Sequence, residues 1–152
     1  MAGVIQAGSE APDFTLRNQD GEKVALTDFA DRKLILVFYP LDFSPVCTDQ
    51  LSLYQEVLPQ IHEQGAELVG ISVDSTYCHR AFREQLNLTM ALLADFKPKG
   101  EVSRAYGAWI ERADTSSRAL VLVENGEVKW SFETETPVEI PGANLIFDAL
   151  SS

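Results

Sequence analysis

A chain of 152 residues with 45% apolar and 23% charged residues is long enough for one domain, taken as 1–152, with a substantial core. Its net charge of -11 argues against nucleic acid and anionic membrane surfaces as partners. The N-terminus lacks a basic region followed by an apolar stretch, and the longest apolar run is far too short to span a bilayer, so a cytoplasmic location is expected. Residues 1–12 read as an irregular lead-in closed by Pro12. Asp13–Arg17 and Lys23–Leu26 alternate in polarity around the turn Asn18–Gly21, which predicts a β-hairpin. Thr27 or Asp28 can cap a short helical turn. Leu34–Tyr39 is apolar on both faces, as in a central strand of a covered sheet.

A helix is expected from about Thr48 to residue 64, with Leu51, Tyr54, Val57, Leu58 and Ile61 on one face. Pro59 suggests a kink and Gly65 a stop. Glu67–Val73 predicts a second core strand. Asp74 or Ser75 then caps a helix over 76–86, with Tyr77, Ala81, Phe82 and Leu86 as its apolar face. Ala91–Leu93 predicts a short strand, and Lys99–Tyr106 a short helix ended by Gly107. Arg118–Val123 and Glu127–Phe132 flank Glu124-Asn-Gly126, a strong hairpin signal. Pro141–Leu150 predicts a closing helix. The fold class is α/β: a mixed central sheet with helices on both faces and an N-terminal β-hairpin, an order that fits a thioredoxin-like fold.

The segment Pro40-Leu-Asp-Phe-Ser44-Pro-Val-Cys47 places a thiol where a buried strand hands over to a helix. Amide groups and the helix dipole at such a start favour negative charge, so this thiol is expected to ionise readily and act as a nucleophile. Cysteine after a strand is, taken alone, more often a buried apolar residue. Two cysteines in a chain expected to be cytoplasmic point to free or catalytic thiols rather than a structural staple. No metal-ligand spacing, phosphate loop or nucleotide fingerprint occurs, so no cofactor is expected.

In these residues the chain resembles the peroxiredoxins. The family pattern Pro-x3-Thr/Ser-x2-Cys is matched by Pro40, Ser44 and Cys47. The resemblance extends over Ala11-Pro-Asp-Phe-Thr-Leu16, Val69-Gly-Ile-Ser-Val-Asp74, Leu92-Leu-Ala-Asp95 and the strand opening at Arg118. It is closest to the alkyl hydroperoxide reductase E-like and bacterioferritin-comigratory (Q-type) branches. The resemblance implies reduction of hydrogen peroxide and organic hydroperoxides through a sulfenic acid on Cys47. It implies a reducing thiol such as thioredoxin or a low-molecular-weight thiol as second substrate, and Arg118 as the active-site arginine. Ser44 stands where threonine is commoner, and Gln50 where many relatives carry glutamate.

The chemistry agrees. An ordinary thiol is about 3% ionised at neutral pH, so full ionisation raises reactivity only about 30-fold. A fast peroxidase needs in addition donors aimed at the leaving oxygen, which the Ser44 hydroxyl, the Cys47 amide and the Arg118 guanidinium can supply. Pro40 fixes the loop and shields the sulfur. Asp42 and Asp49 read as solvated loop residues. His79 reads as structural or surface, or as a group that lowers the pKa of its neighbour Cys78.

Cys78 begins the next helix, where a depressed pKa would suit a resolving nucleophile. It either resolves Cys47 in a disulfide or is a bystander; both remain open. Position 52, where some Q-type relatives place their second cysteine, is Ser52. A disulfide reductase is disfavoured because Cys-x-x-Cys is absent. A redox-signalling adaptor or holdase with little turnover is the alternative from another class. Phe43, Phe96 and Trp109, expected in loops around the site, favour a homodimer.

Overall fold

The structure, a computed structural model, describes residues 3–151. A seven-stranded sheet has the order β2-β1-β5-β4-β3-β8-β9. Its central strands β3 (Lys33–Phe38), β4 (Ala66–Ser72) and β5 (Ala91–Ala94) are parallel. β8 (Ala119–Glu124) runs antiparallel beside β3, with Phe38 opposite Ala119, and carries β9 (Glu127–Glu133) on its outer edge. The hairpin β1 (Thr15–Arg17) and β2 (Lys23–Ala25) joins the other edge through Arg17 opposite Ala94. The sheet is therefore mixed, as expected.

Each strand of the centre feeds both faces. On one face Ile35, Val37, Leu68 and Leu92 pack with α1 (Pro45–Glu63), Phe82 of α2 (Thr76–Leu86) and Ile146 of α4 (Ala143–Ser151). On the other, Leu34, Leu36, Phe38, Val69 and Leu93 pack with Val102 of α3 (Glu101–Ala105), Tyr106, Phe14 and Leu26. Leu34 to Tyr39 are at most 1% exposed, which is why this run reads as unbroken hydrophobicity rather than alternation. Each such side chain contributes about 1.5–3 kcal/mol of burial.

Local chemistry sets the boundaries. Asn125 (φ 53°) and Gly126 (φ 75°) form the two-residue turn with both residues left-handed, which suits the twist of β8–β9. Ser75 caps α2, its Oγ accepting from the Cys78 amide at 3.2 Å. Asp28 closes the short 3-10 turn Leu26–Phe29 by accepting from the Ala25 amide at 2.9 Å. Asp95 is buried because its carboxylate accepts from the amides of Val102 and Ser103 at the start of α3.

Several boundaries shift. α1 begins at Pro45, three residues before Thr48, because proline suits a first helical turn. Leu26 leaves β2 for the 3-10 turn. A two-stranded ribbon of β6 (Trp109–Ile110) and β7 (Thr115–Ser116) was not foreseen. Tyr77 is a correction of another kind. Expected on the buried face of α2, it is 84% exposed, and His79 takes the inward position with Phe82.

Candidate active site

β3 ends at Phe38, and residues 39–44 turn the chain into α1. Ser44 is the N-cap, Pro45 follows it, and Cys47 lies in the first turn, fully buried. The thiol therefore sits among first-turn amides that the helix itself leaves unpaired, at the positive end of the dipole. The Ser44 hydroxyl makes no capping bond. It donates to the Leu41 carbonyl at 2.9 Å, so its one proton is not aimed at a leaving oxygen as expected, and its lone pairs are left as acceptors. Pro40 is half-buried at the head of the same loop.

Arg118 arrives from the far side, immediately before β8, and is 2% exposed. Its Nη1 donates to Cys47 Sγ at 3.3 Å and to Gln50 Oε1 at 2.6 Å. Its Nε donates to the Pro137 carbonyl at 2.9 Å. Gln50 in turn donates to the Tyr54 hydroxyl at 3.3 Å, and Tyr54 donates to the Pro141 carbonyl at 2.7 Å. Burial pushes the Tyr54 pKa up to about 12, so it stays a neutral donor. A fixed cation at hydrogen-bond distance stabilises negative charge on the sulfur and on an oxygen leaving beside it. Four sequence-predicted residues, Pro40, Ser44, Cys47 and Arg118, are thus brought to one end of the sheet. Gln50 joins them as the group that aims the guanidinium.

Cys78 lies at the same end, where Asp42 and Asp74 join its loop to the active-site loop: the Asp42 amide donates to Asp74 Oδ2 at 2.8 Å. Its thiol is not the ionisable nucleophile expected of a helix start. Burial, then the charges of Asp42 and Asp74, push its pKa up to about 12. Its Sγ is 3.7 Å from Asp74 Oδ1. His79 does not offset this, because both its ring nitrogens are engaged elsewhere. Asp42 is the other correction. Expected in solvent, it is 7% exposed and accepts from the Tyr39 hydroxyl at 2.6 Å. Its second oxygen is 2.7 Å from His79 Nδ1. Asp49 is exposed, as expected. Both cysteines carry free thiols.

Asp42, Asp74 and Cys78 bring three potential ligand atoms within 4.8 Å of one another. The two carboxylates are already committed to Tyr39, His79, Ser72 and the Asp42 amide. A cleft of about 430 Å³ opens beside Arg118 between Trp109, Ser117, Thr136 and Pro137. A larger one of about 520 Å³, between Arg17, Tyr77 and Phe96, includes neither Cys47 nor Arg118. Among the described residues, no helix is long and apolar enough to cross a membrane.

Residues 7–131 match the AhpC/TSA family. The chain belongs to that family, the peroxiredoxins. Alkyl hydroperoxide reductase E of Mycobacterium tuberculosis is 33% identical over 150 residues, 98% of each chain. A putative peroxiredoxin bcp of Coxiella burnetii is 36% identical over 108 residues, 71% of this chain and 70% of that one. The crystal structure of reduced 2-Cys peroxiredoxin from Plasmodium vivax superposes with a TM-score of 0.87 at 30% identity, covering 96% of this chain and 80% of that one. The fold is accordingly thioredoxin-like, and this peroxiredoxin is a thiol peroxidase.

Proposed function

We propose that this peroxiredoxin reduces hydrogen peroxide and organic hydroperoxides at Cys47, in a single domain spanning residues 1–152. The observation that carries the reading is the Arg118 Nη1 to Cys47 Sγ hydrogen bond of 3.3 Å between two buried groups at a helix start. The Cys47 thiolate attacks the terminal peroxide oxygen. An S–O bond forms, the O–O bond breaks, and its electron pair leaves on the distal oxygen. That oxygen takes a proton and departs as water or alcohol, leaving Cys47 as a sulfenic acid. Arg118 and the first-turn amides oppose charge on the leaving oxygen, and Ser44 accepts from the incoming hydroperoxide proton. A thiol then attacks the sulfenic sulfur, water leaves, and a second thiol releases the reduced enzyme. Thioredoxin or a low-molecular-weight thiol serves this step, and a cytoplasmic, reducing setting suits two free thiols.

Leu41 and Phe43, 42% and 44% exposed on the active-site loop, and Phe96 at 55% support pairing of two copies around this end of the sheet. The deciding experiment is intact mass after one equivalent of peroxide. Wild type is expected to gain one oxygen on Cys47 or lose two hydrogens to a disulfide, with peroxide consumed. Cys47→Ser is expected to consume none. Turnover retained in that variant would overturn the reading, and an intact wild type without turnover would favour an adaptor instead.

A further inference from the structure

Nothing in the peroxide chemistry touches His79, yet it is fully buried with both ring nitrogens engaged. Its Nε2 lies 3.0 Å from the Leu93 carbonyl, which only accepts, so that nitrogen carries a proton. Its Nδ1 faces Asp42 Oδ2 at 2.7 Å, so a single proton lies between ring and carboxyl. Asp42 belongs to the loop that carries Ser44 and leads into Cys47. Its other oxygen is held by the Tyr39 hydroxyl and its amide by Asp74. The next residue, Phe43, has φ 68°, a left-handed backbone that a bulky side chain adopts only when its surroundings enforce it. Its ring packs on Phe82 at 5.0 Å, one turn along α2 from His79. Two successive loop residues are therefore seated on one face of α2.

We propose that His79 is a positioning residue for the peroxide step: by holding Asp42 it sets the strained loop that places Ser44 and the first turn of α1 against Arg118. The inference rests on Cys47 being the peroxide-reacting thiol. Loss of the tie lets the loop relax, and misplacement of reacting groups by about 1 Å costs up to about 10²-fold in rate. Asparagine at position 42 preserves the tie, because its amide N–H donates to a neutral Nδ1 while its carbonyl still accepts from Tyr39.

The test is stopped-flow reaction of the reduced protein with hydrogen peroxide, beside alkylation of Cys47 by neutral iodoacetamide followed at the peptide level. His79→Ala and Asp42→Ala are expected to slow the peroxide step by about tenfold or more, with Cys47 alkylation falling several-fold less than the peroxide rate, because alkylation depends on the thiolate but not on aligning a leaving oxygen with Ser44 and Arg118. The double variant should be no slower than the slower single one. Asp42→Asn should stay within about threefold of wild type and keeps the test open if the alanine variants do not fold. Wild-type peroxide rates in folded alanine variants overturn the inference. So do losses that multiply in the double variant, an Asp42→Asn variant as slow as Asp42→Ala, or a parallel fall in alkylation. Wild type inert to peroxide, or Cys47→Ser still active, overturns the Cys47 reading itself.

Discussion

Arg118 and Gln50 meet at 2.6 Å, and the same guanidinium nitrogen reaches Cys47 Sγ at 3.3 Å. Gln50 lies on α1 nearly one turn beyond Cys47, so a single helix carries both the sulfur and the group that orients its cation. Arg118→Ala is expected to slow the peroxide step by about 10²-fold, the scale of losing one transition-state donor. Gln50→Ala should cost less, about tenfold, because the charge remains but its aim is lost. Gln50→Glu should restore the aim through a charge-assisted bond and exceed the alanine variant. Stopped-flow rates in the order Arg118→Ala, Gln50→Ala, Gln50→Glu, wild type, slowest first, would bear this out. An unchanged rate in Arg118→Ala would assign that residue to packing.

Ser44 has a narrower role to lose. Its hydroxyl already donates to the Leu41 carbonyl, so the group that closes the loop offers the reaction only its lone pairs. Ser44→Thr keeps the hydroxyl and adds a methyl that restricts its rotamer, and should stay within about threefold of wild type. Ser44→Ala should fall by about tenfold or more. A Ser44→Ala rate equal to that of Ser44→Thr would show that the hydroxyl takes no part in the reaction and that Ser44 merely fills the loop.

The parts of this site that lie close in sequence were legible there. Pro40, Ser44 and Cys47 fall on one strand-to-helix passage, and Asn125-Gly126 announces its own turn because both residues tolerate positive φ. Contacts made across the fold were not. Asp42 reads as a loop acid because nothing near it in sequence shows that β3 and β4 are neighbours. Their adjacency puts the start of α2, and with it His79, beside the loop. Cys78 departs from expectation for the same reason: a helix start lowers a thiol pKa, but burial, and then the two carboxylates brought beside it, outweigh that here. β6 and β7, two residues each, are too short for any period to appear.

Tyr54 links α1 to the start of α4 through its bond to the Pro141 carbonyl. Tyr54→Phe should cost about 1–3 kcal/mol in urea unfolding, since it leaves that carbonyl and the Gln50 amide short of a partner. The hydroxyl also has an alkaline signature. Burial raises its pKa from 10.0 to about 12, so the unfolded chain loses this proton before the folded one does. Its contribution to stability is full below pH 10 and is lost as pH rises through the folded value. The stability of wild type should therefore fall more steeply between pH 10 and 12 than that of Tyr54→Phe. Parallel slopes would place the titration elsewhere.

The last prediction concerns Cys78. A resolving thiol must attack as a thiolate, and here burial with Asp42 and Asp74 holds the thiol protonated up to about 12. In the reduced structure it is therefore a poor nucleophile. Iodoacetamide should modify Cys78 in a Cys47→Ser background more slowly than free cysteine at pH 8.5, and Asp74→Asn should speed that modification by removing a charge 3.7 Å away. If Cys78 nonetheless resolves Cys47, the start of α2 must rearrange after the sulfenic acid forms, freeing the sulfur from both carboxylates. The disulfide would then appear as a mass two hydrogens below the reduced chain, with a peptide joining Cys47 to Cys78. Cys78→Ser would react once with peroxide and stop at the sulfenic acid, overoxidising sooner. Its turnover with thioredoxin would fall while turnover with a small thiol persisted. Identical oxidised masses and identical thioredoxin turnover in wild type and Cys78→Ser would make this a one-cysteine enzyme, reduced directly at Cys47 by an outside thiol.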